Sequence, residues 1–239
     1  MTIDRTPAKQ VSKLLRSLGD ADAAERAQRF FKTAKGEYGE RDKFIGLSVP
    51  VIRAHVKQFS ELPLDDIIVL LQSPFNEERV FALLSLSNRF TSGDEELQKT
   101  IYELFLQHRQ HVNNWNLVDS SAAPIVGAYL HGRDKAILYE LAVSSIIWER
   151  RIAMIAAFYF IRANDFSDAL KTAALLRDDT HDLIHKAVGW MLREIGKRDT
   201  DAEKKFLKKH YRKMPRTMLR YAIEKFPEHE RLAYLAGEI

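Results

Sequence analysis

The chain has 239 residues, a formal net charge of +4 and no cysteine, which excludes disulfides, zinc–thiolate sites and thiol nucleophiles. That length suits one domain or two small ones and buries a sizeable core without covalent staples. Met1 to Gln10 is polar and charged, without the apolar stretch of a secretory leader, and no apolar run approaches a membrane span. A soluble, cytoplasmic protein is expected, with a monomer as the default.

In chain order, Leu14, Leu15 and Leu18 give a first amphipathic helix that ends at Gly19-Asp20, and a second runs from Ala21 to about Thr33. Lys35 to Gly39 is a glycine-punctuated loop. Phe44-Ile45-Gly46-Leu47-Ser48-Val49-Pro50 follows, with Ser48 and Pro50 placed to cap and open a helix through Phe59. Further helices are expected over Leu62–Gln72, Glu77–Phe90, Glu95–Gln107 and Trp115–Leu130. After the turn at His131-Gly132-Arg133-Asp134 come Lys135–Ser144, Trp148–Ile161, Phe166–Leu176, Leu183–Lys197, Asp201–His210 and Pro215–Phe226. Trp148–Ile161 is apolar nearly throughout after its first turn, so it should be a buried helix. No stretch alternates with strand periodicity, and the fold class is all-α.

The helices recur in pairs, a more polar one and then a more buried one. The second members begin near Glu77, Trp115, Trp148, Leu183 and Pro215, spaced by 38, 33, 35 and 32 residues. Antiparallel helix pairs at this period are the mark of an α-solenoid. We therefore expect one domain over residues 1–239, curved, with one helix of each pair lining its concave face. Residues 181–239 hold 14 Lys or Arg against 9 Asp or Glu, whereas the first 180 residues hold 23 against 24. All the excess positive charge thus lies in the last quarter, which suggests a polyanion partner.

Two constellations stand out. In Asn114-Trp115-Asn116-Leu117-Val118-Asp119-Ser120-Ser121, Trp115 and Asp119 share one helical face one turn apart, while Leu117 and Val118 point elsewhere. A carboxylate near a helix start also suits the dipole, and a Trp is often a core residue; the alternative is a face that meets a ligand. The second constellation is Lys186, Trp190, Arg193 and Lys197, at offsets 0, 4, 7 and 11 along one helix. Cations interleaved with an aromatic are the footprint of a nucleic-acid backbone site, against a solvated face whose Trp dips into a neighbour. Arg151 lies three residues after Trp148, which reads as a packing residue between repeats. The pairs His108/His111 and His181/His185 have helical spacing but no carboxylate companions, so they read as caps or surface residues and no metal site is expected.

The chain resembles the AlkD-type DNA alkylation-repair proteins, a family of DNA glycosylases built from HEAT-like repeats, over about residues 44–226. The resemblance is carried by Phe44 to Pro50, Trp115 to Ser120, Trp148-Glu149-Arg150-Arg151-Ile152-Ala153, and Lys186-Ala187-Val188-Gly189-Trp190-Met191-Leu192-Arg193-Glu194. It implies excision of cationic bases such as N3-methyladenine and N7-methylguanine from duplex DNA, without a metal or cofactor. It further implies that Trp115 and Trp190 flank the deoxyribose, that Asp119 is the catalytic carboxylate, and that Arg151 is a phosphate contact. Lys186, Arg193 and Lys197 would hold the backbone, and Ser48 would lie near the DNA. Asn114 stands where family members can carry a second aromatic.

The residue types suit that chemistry. A cationic base is already a good leaving group, so what remains is to stabilise a sugar that becomes oxocarbenium-like and to place a water. Tryptophan faces stabilise a nearby cation by ~0.5–2 kcal/mol each, and a fixed carboxylate adds electrostatic stabilisation and can orient the water. No pocket for a rotated base is evident in the sequence. The competing reading is a non-catalytic HEAT-repeat protein that binds DNA structures or an acidic peptide on its concave face.

Overall fold

The computed structural model describes residues 7–40 and 42–239, and among these it is all-α, with a single bridge pair between Lys43 and Phe75 in place of any strand. The chain forms two compact units, Met1–Ser121 and Ala122–Ile239. No helix is long and apolar enough to cross a membrane among the described residues.

The first unit holds α1 (Pro7–Ser17), α2 (Ala21–Phe30), α3 (Val49–Gln58), α4 (Leu64–Leu71), α5 (Asn76–Ser92), α6 (Glu95–Gln107) and α7 (Trp115–Ser121). Helix α5 is its axis, packed by α3, α4, α6 and α7. The second unit opens with a π-helical turn, Ala122–Gly127, and continues through α8 (Ala128–Leu130), α9 (Ala136–Ala142), α10 (Ile147–Arg162), α11 (Ser167–Leu175), α12 (Asp182–Gly196), α13 (Thr200–His210), α14 (Arg216–Ala222) and α15 (Glu228–Ala236). Here α10, α12 and α14 pack in succession, while α9 and α11 flank α10 and α13 flanks α12. This is the two-layer helix pairing that the period predicts.

Local chemistry sets most of the boundaries. Asp20, Asp94 and Asp199 accept the backbone N–H three residues ahead at 2.6, 2.9 and 2.9 Å, and so cap α2, α6 and α13. Helix α2 stops at Phe30, short of the expected Thr33, because Lys32 takes a positive φ of 52°. Ser48 occupies the N-cap of α3 but its hydroxyl makes no capping bond, so that expectation holds for position and fails for mechanism. The single helix expected over Trp115–Leu130 is broken by the π turn. Pro124 has no N–H to donate and its ring crowds the preceding turn, so the α-pattern cannot pass through it. Helix α15, beyond the last expected element, starts after Pro227 and ends on Gly237 at φ 81°.

The first turn of α5 is the least expected feature of the core. Its residues Asn76, Glu77, Glu78 and Arg79 are all polar or charged, and all are buried. Glu77 accepts the backbone N–H groups of Ile45, Gly46 and Leu47 at 3.0, 2.8 and 3.3 Å. Gly46 meets this grip at φ 89°, and a Cβ there would lie 2.1 Å from the Asp20 carbonyl oxygen, so only glycine fits. Glu78 takes Ser12, Arg16 and Ser73; burial works to raise its pKa, yet these hydrogen bonds hold it below the usual carboxylate range. Asp42 accepts from Arg79 at 2.5 Å on one oxygen, and from Asn76 and Asn114 at 3.0 and 2.8 Å on the other.

Removing one partner of such a buried set leaves the other charge stranded, at a cost of about 3–5 kcal/mol. Asp42→Ala should therefore lower the free energy of unfolding, extrapolated from urea denaturation, by an amount in that range. A variant as stable as the wild type would show that the Asp42–Arg79 pair contributes nothing to the fold.

Candidate nucleic-acid interface

In the first unit the site is built around α7. Asn114, fully buried just before the helix, donates to Asp42 through its amide nitrogen and accepts the Trp115 backbone N–H at 2.8 Å. Asn116 forms a reciprocal amide pair with Asn76, at 2.7 and 3.3 Å. Trp115 is thus held through both neighbours, Asn114 by Asp42 in the loop before α3 and Asn116 by Asn76 at the start of α5. Its indole stacks on Phe31 at 5.0 Å and 19°, Phe31 stacks in turn on Phe44 at 4.9 Å, and Phe30, 66% exposed, meets Trp115 edge-on at 5.8 Å. The Trp115–Asp119 face was expected to be left to solvent or a ligand. Instead Phe31 takes one part of the ring, and the half-buried Trp115 and Asp119 present the remainder one turn apart.

Beside the ring stack lies a cleft of about 280 Å³ lined by Ala27, Phe31, Phe44, Leu47, Ser48 and Asn116, among others. The sequence showed no such pocket. Glu77, Asn76 and Asn116, which also border it, are committed to protein partners. The cleft is therefore poor in groups that could read the edge of a base. Ser48 is exposed at its rim.

In the second unit Lys186, Trp190 and Arg193 lie on α12 as expected and Lys197 is its C-cap, but each cation has a carboxylate partner. Lys186 pairs with Asp182 at 2.7 Å, Lys197 with Glu194 at 2.6 Å, and Arg193 with Glu224, which follows α14. The half-buried Trp190 donates its indole N–H to Glu194 at 3.2 Å, and Arg198 donates to the same carboxylate. Glu194 is buried, which opposes ionisation, but the bonds from Lys197, Trp190 and Arg198 outweigh this and hold its pKa low. Arg151 on α10 is buried and donates to the Leu183 carbonyl oxygen at 2.5 Å, so that N–H is committed within the unit. Trp148 is buried, as a packing residue should be. His181 caps α12 by accepting the Leu183 N–H on Nδ1 at 3.1 Å, the role its position suggested.

Sequence reasoning missed Phe30, Phe31 and Asp42 in the first unit and Glu194, Glu203 and Glu224 in the second. The tandem Phe30-Phe31 at a helix end was a readable signal; Asp42 and Glu224 reach their partners across the chain and left none.

Glu203 on α13 is buried, and desolvation pushes its carboxyl up to about 8 against an ordinary 4.5, with Arg193 and Lys204 only partly offsetting this. The protonated form is thus the one the fold prefers. Stability from this group is complete below about pH 4.5 and drains as pH rises towards 8, because the unfolded chain then binds no proton while the fold keeps one. Glu203→Gln should be increasingly more heat-stable than the wild type from pH 5 to pH 8, by an amount on the order of a few kcal/mol, with no further gain above that. Parallel melting curves across that window would refute the shift.

The family model for "DNA alkylation repair enzyme" matches residues 11–226. The chain belongs to that family. Its fold is similar to the "Predicted DNA alkylation repair enzyme from Enterococcus faecalis", with a TM-score of 0.66 at 16% identity over 88% of this chain and 97% of the other. It is also similar to AlkD2 from Streptococcus mutans, with a TM-score of 0.54 at 20% identity over 92% of this chain and 99% of that one. A third similar structure, smu.31 from Streptococcus mutans UA159, gives 0.53 at 19% identity, over 92% and 99%. No curated protein matches the chain. Every residue of the site lies inside the matched span.

Proposed function

We propose that the protein is a DNA glycosylase that hydrolyses the N-glycosidic bond of cationic alkylated purines, N3-methyladenine and N7-methylguanine, in duplex DNA. The observation that carries this reading is the Trp115–Asp119 pair on α7, one turn apart and half-buried, with the tryptophan braced by Phe31 and by the hydrogen-bonded asparagines on either side of it. A ring fixed in this way offers its quadrupole to a developing positive charge without further ordering. A carboxylate beside it gains attraction as charge moves from the base to the sugar, and can take a proton from the attacking water.

Little base readout is required. The leaving group is activated by its own charge, and the neighbouring cleft is largely apolar, with Asn76, Glu77 and Asn116 engaged by protein partners. The second unit contributes Trp190 and the cations Lys186, Arg193 and Lys197 as its contact to the DNA backbone, with Arg151 and Ser48 as further contacts on their own units. No metal or cofactor takes part in this scheme.

The test is single-turnover release of N7-methylguanine and N3-methyladenine from methylated duplex, wild type beside Asp119→Asn. We expect release by the wild type and a loss of roughly 10²–10³-fold in the variant, with duplex affinity unchanged. No release from either protein, with firm binding to duplex or branched DNA, would favour a non-catalytic binder. Efficient excision of uracil, a neutral base, would contradict the charge-driven selectivity. Lys186→Ala and Arg193→Ala should each weaken duplex binding and flatten its salt dependence.

A further inference from the structure

The cations of α12 do not wait for DNA unpartnered. Lys186 is bound to Asp182, and Arg193, whose side chain is only 17% exposed, is bound to Glu224. Lys197 is bound to Glu194. The three acids differ in what else they do. Glu194 is buried and also holds Trp190 and Arg198, so it belongs to the framework of the helix. Asp182 is more exposed and also takes a hydrogen bond from Thr217. Glu224 is about half exposed, and its other ion-pair partner is Lys225 at 3.3 Å, its own neighbour in the chain.

We propose that Glu224, with Asp182 in a lesser role, is a built-in competitor for DNA phosphate that sets the strength and selectivity of the grip. The inference rests on the reading of α12 as the DNA-backbone contact. A carboxylate and a phosphate oxygen offer arginine the same acceptor geometry and the same sign of charge. To reach a phosphate, Arg193 must leave Glu224, and the carboxylate left behind then repels that phosphate. Each backbone contact is thereby reduced to an exchange of one anion for another. The Lys186–Asp182 pair, exposed on both sides, is weak and exchanges readily, and in the Arg193–Glu224 pair the carboxylate is the more exposed partner.

Such muting has a use. A repair enzyme faces undamaged duplex in vast excess, and electrostatic affinity for phosphate is blind to lesions. Carboxylates that blunt the backbone grip lower residence on undamaged DNA, whereas Trp115 and Asp119, which act on the sugar of the alkylated nucleotide, lose nothing by it. Glu224 is therefore a specificity-determining residue that touches neither lesion nor sugar.

The experiment measures affinity for an unmodified duplex by fluorescence anisotropy, at low and at physiological ionic strength, for wild type, Glu224→Gln, Asp182→Asn/Glu224→Gln and Arg193→Ala. We expect Glu224→Gln to bind several-fold more tightly at low salt, the double variant more tightly still, and the gain to shrink as salt rises. Base release from a methylated duplex should then be slowed in Glu224→Gln by added unmodified competitor DNA more strongly than in the wild type. Unchanged or weaker binding by Glu224→Gln, alongside weaker binding by Arg193→Ala, would show that Glu224 merely positions Arg193 and would overturn the inference while leaving the DNA reading intact. No effect of Arg193→Ala would overturn the DNA reading of α12 and the inference with it.

Discussion

The Asp42 carboxylate is the constraint on which the first unit depends. It is buried, and it accepts from Arg79 on one oxygen and from Asn76 and Asn114 on the other. A buried charge is tolerated only when its lone pairs are filled, and the set of partners that fills them is narrow. Asn114 must present its amide to Asp42, and in doing so its carbonyl oxygen comes to the Trp115 N–H. The start of α7, and with it the orientation of Trp115 and Asp119, follows from that one carboxylate. The Asn114 amide thus serves as a tether, and the aromatic contacts with Trp115 come from Phe31 and Phe30.

The second unit reaches a similar end by different means. Glu194 gathers Trp190, Lys197 and Arg198 around a carboxylate on the same helix, within one turn on either side of it. In the first unit the tether runs from a distant loop, so it fixes where a helix begins. In the second it runs along α12, so it fixes the side-chain orientation of a tryptophan on a helix already placed by its packing against α10 and α14.

This difference explains what was legible in the sequence. Apolar periodicity and short-range caps are local, and the helices they predict are present with ends displaced by a few residues. The Trp115–Asp119 spacing and the α12 stripe are local as well, so both were readable. Pairings that join residues far apart in sequence were not: Asp42 meets Asn114 across the whole of α3 to α6, and Arg193 meets Glu224 from beyond α14. The π turn was missed for another reason. Pro124 was visible, but the residues around it are small and apolar and read as a continuous helix. The stripe's cations were legible as cations, yet their neutralising partners lay at i−4, at i−3 and on another element, and only the first two could have been found by spacing.

The carboxylates on and beside α7 and α12 differ in their surroundings. Glu194 is buried and accepts from three side chains, so it has little capacity to take a proton from water, and its lowered pKa makes it a poorer base still. Asp182 is held low by Lys186, with Thr217 adding to the effect, and it stands on the first turn of α12, a full turn before the cations begin. Glu203, on the neighbouring helix, is buried and packed against Gly196, and desolvation raises its pKa and favours the neutral form, which has no charge to offer a cation. Asp119 differs from all three in company: it lies one turn from a tryptophan whose own position is fixed through Asn114, Asn116 and Phe31. For a reaction whose leaving group departs on the strength of its own charge, the useful protein group is an anion set beside a rigid π-face. The acids of α12 and α13 differ among themselves by burial and by the donors each has accepted.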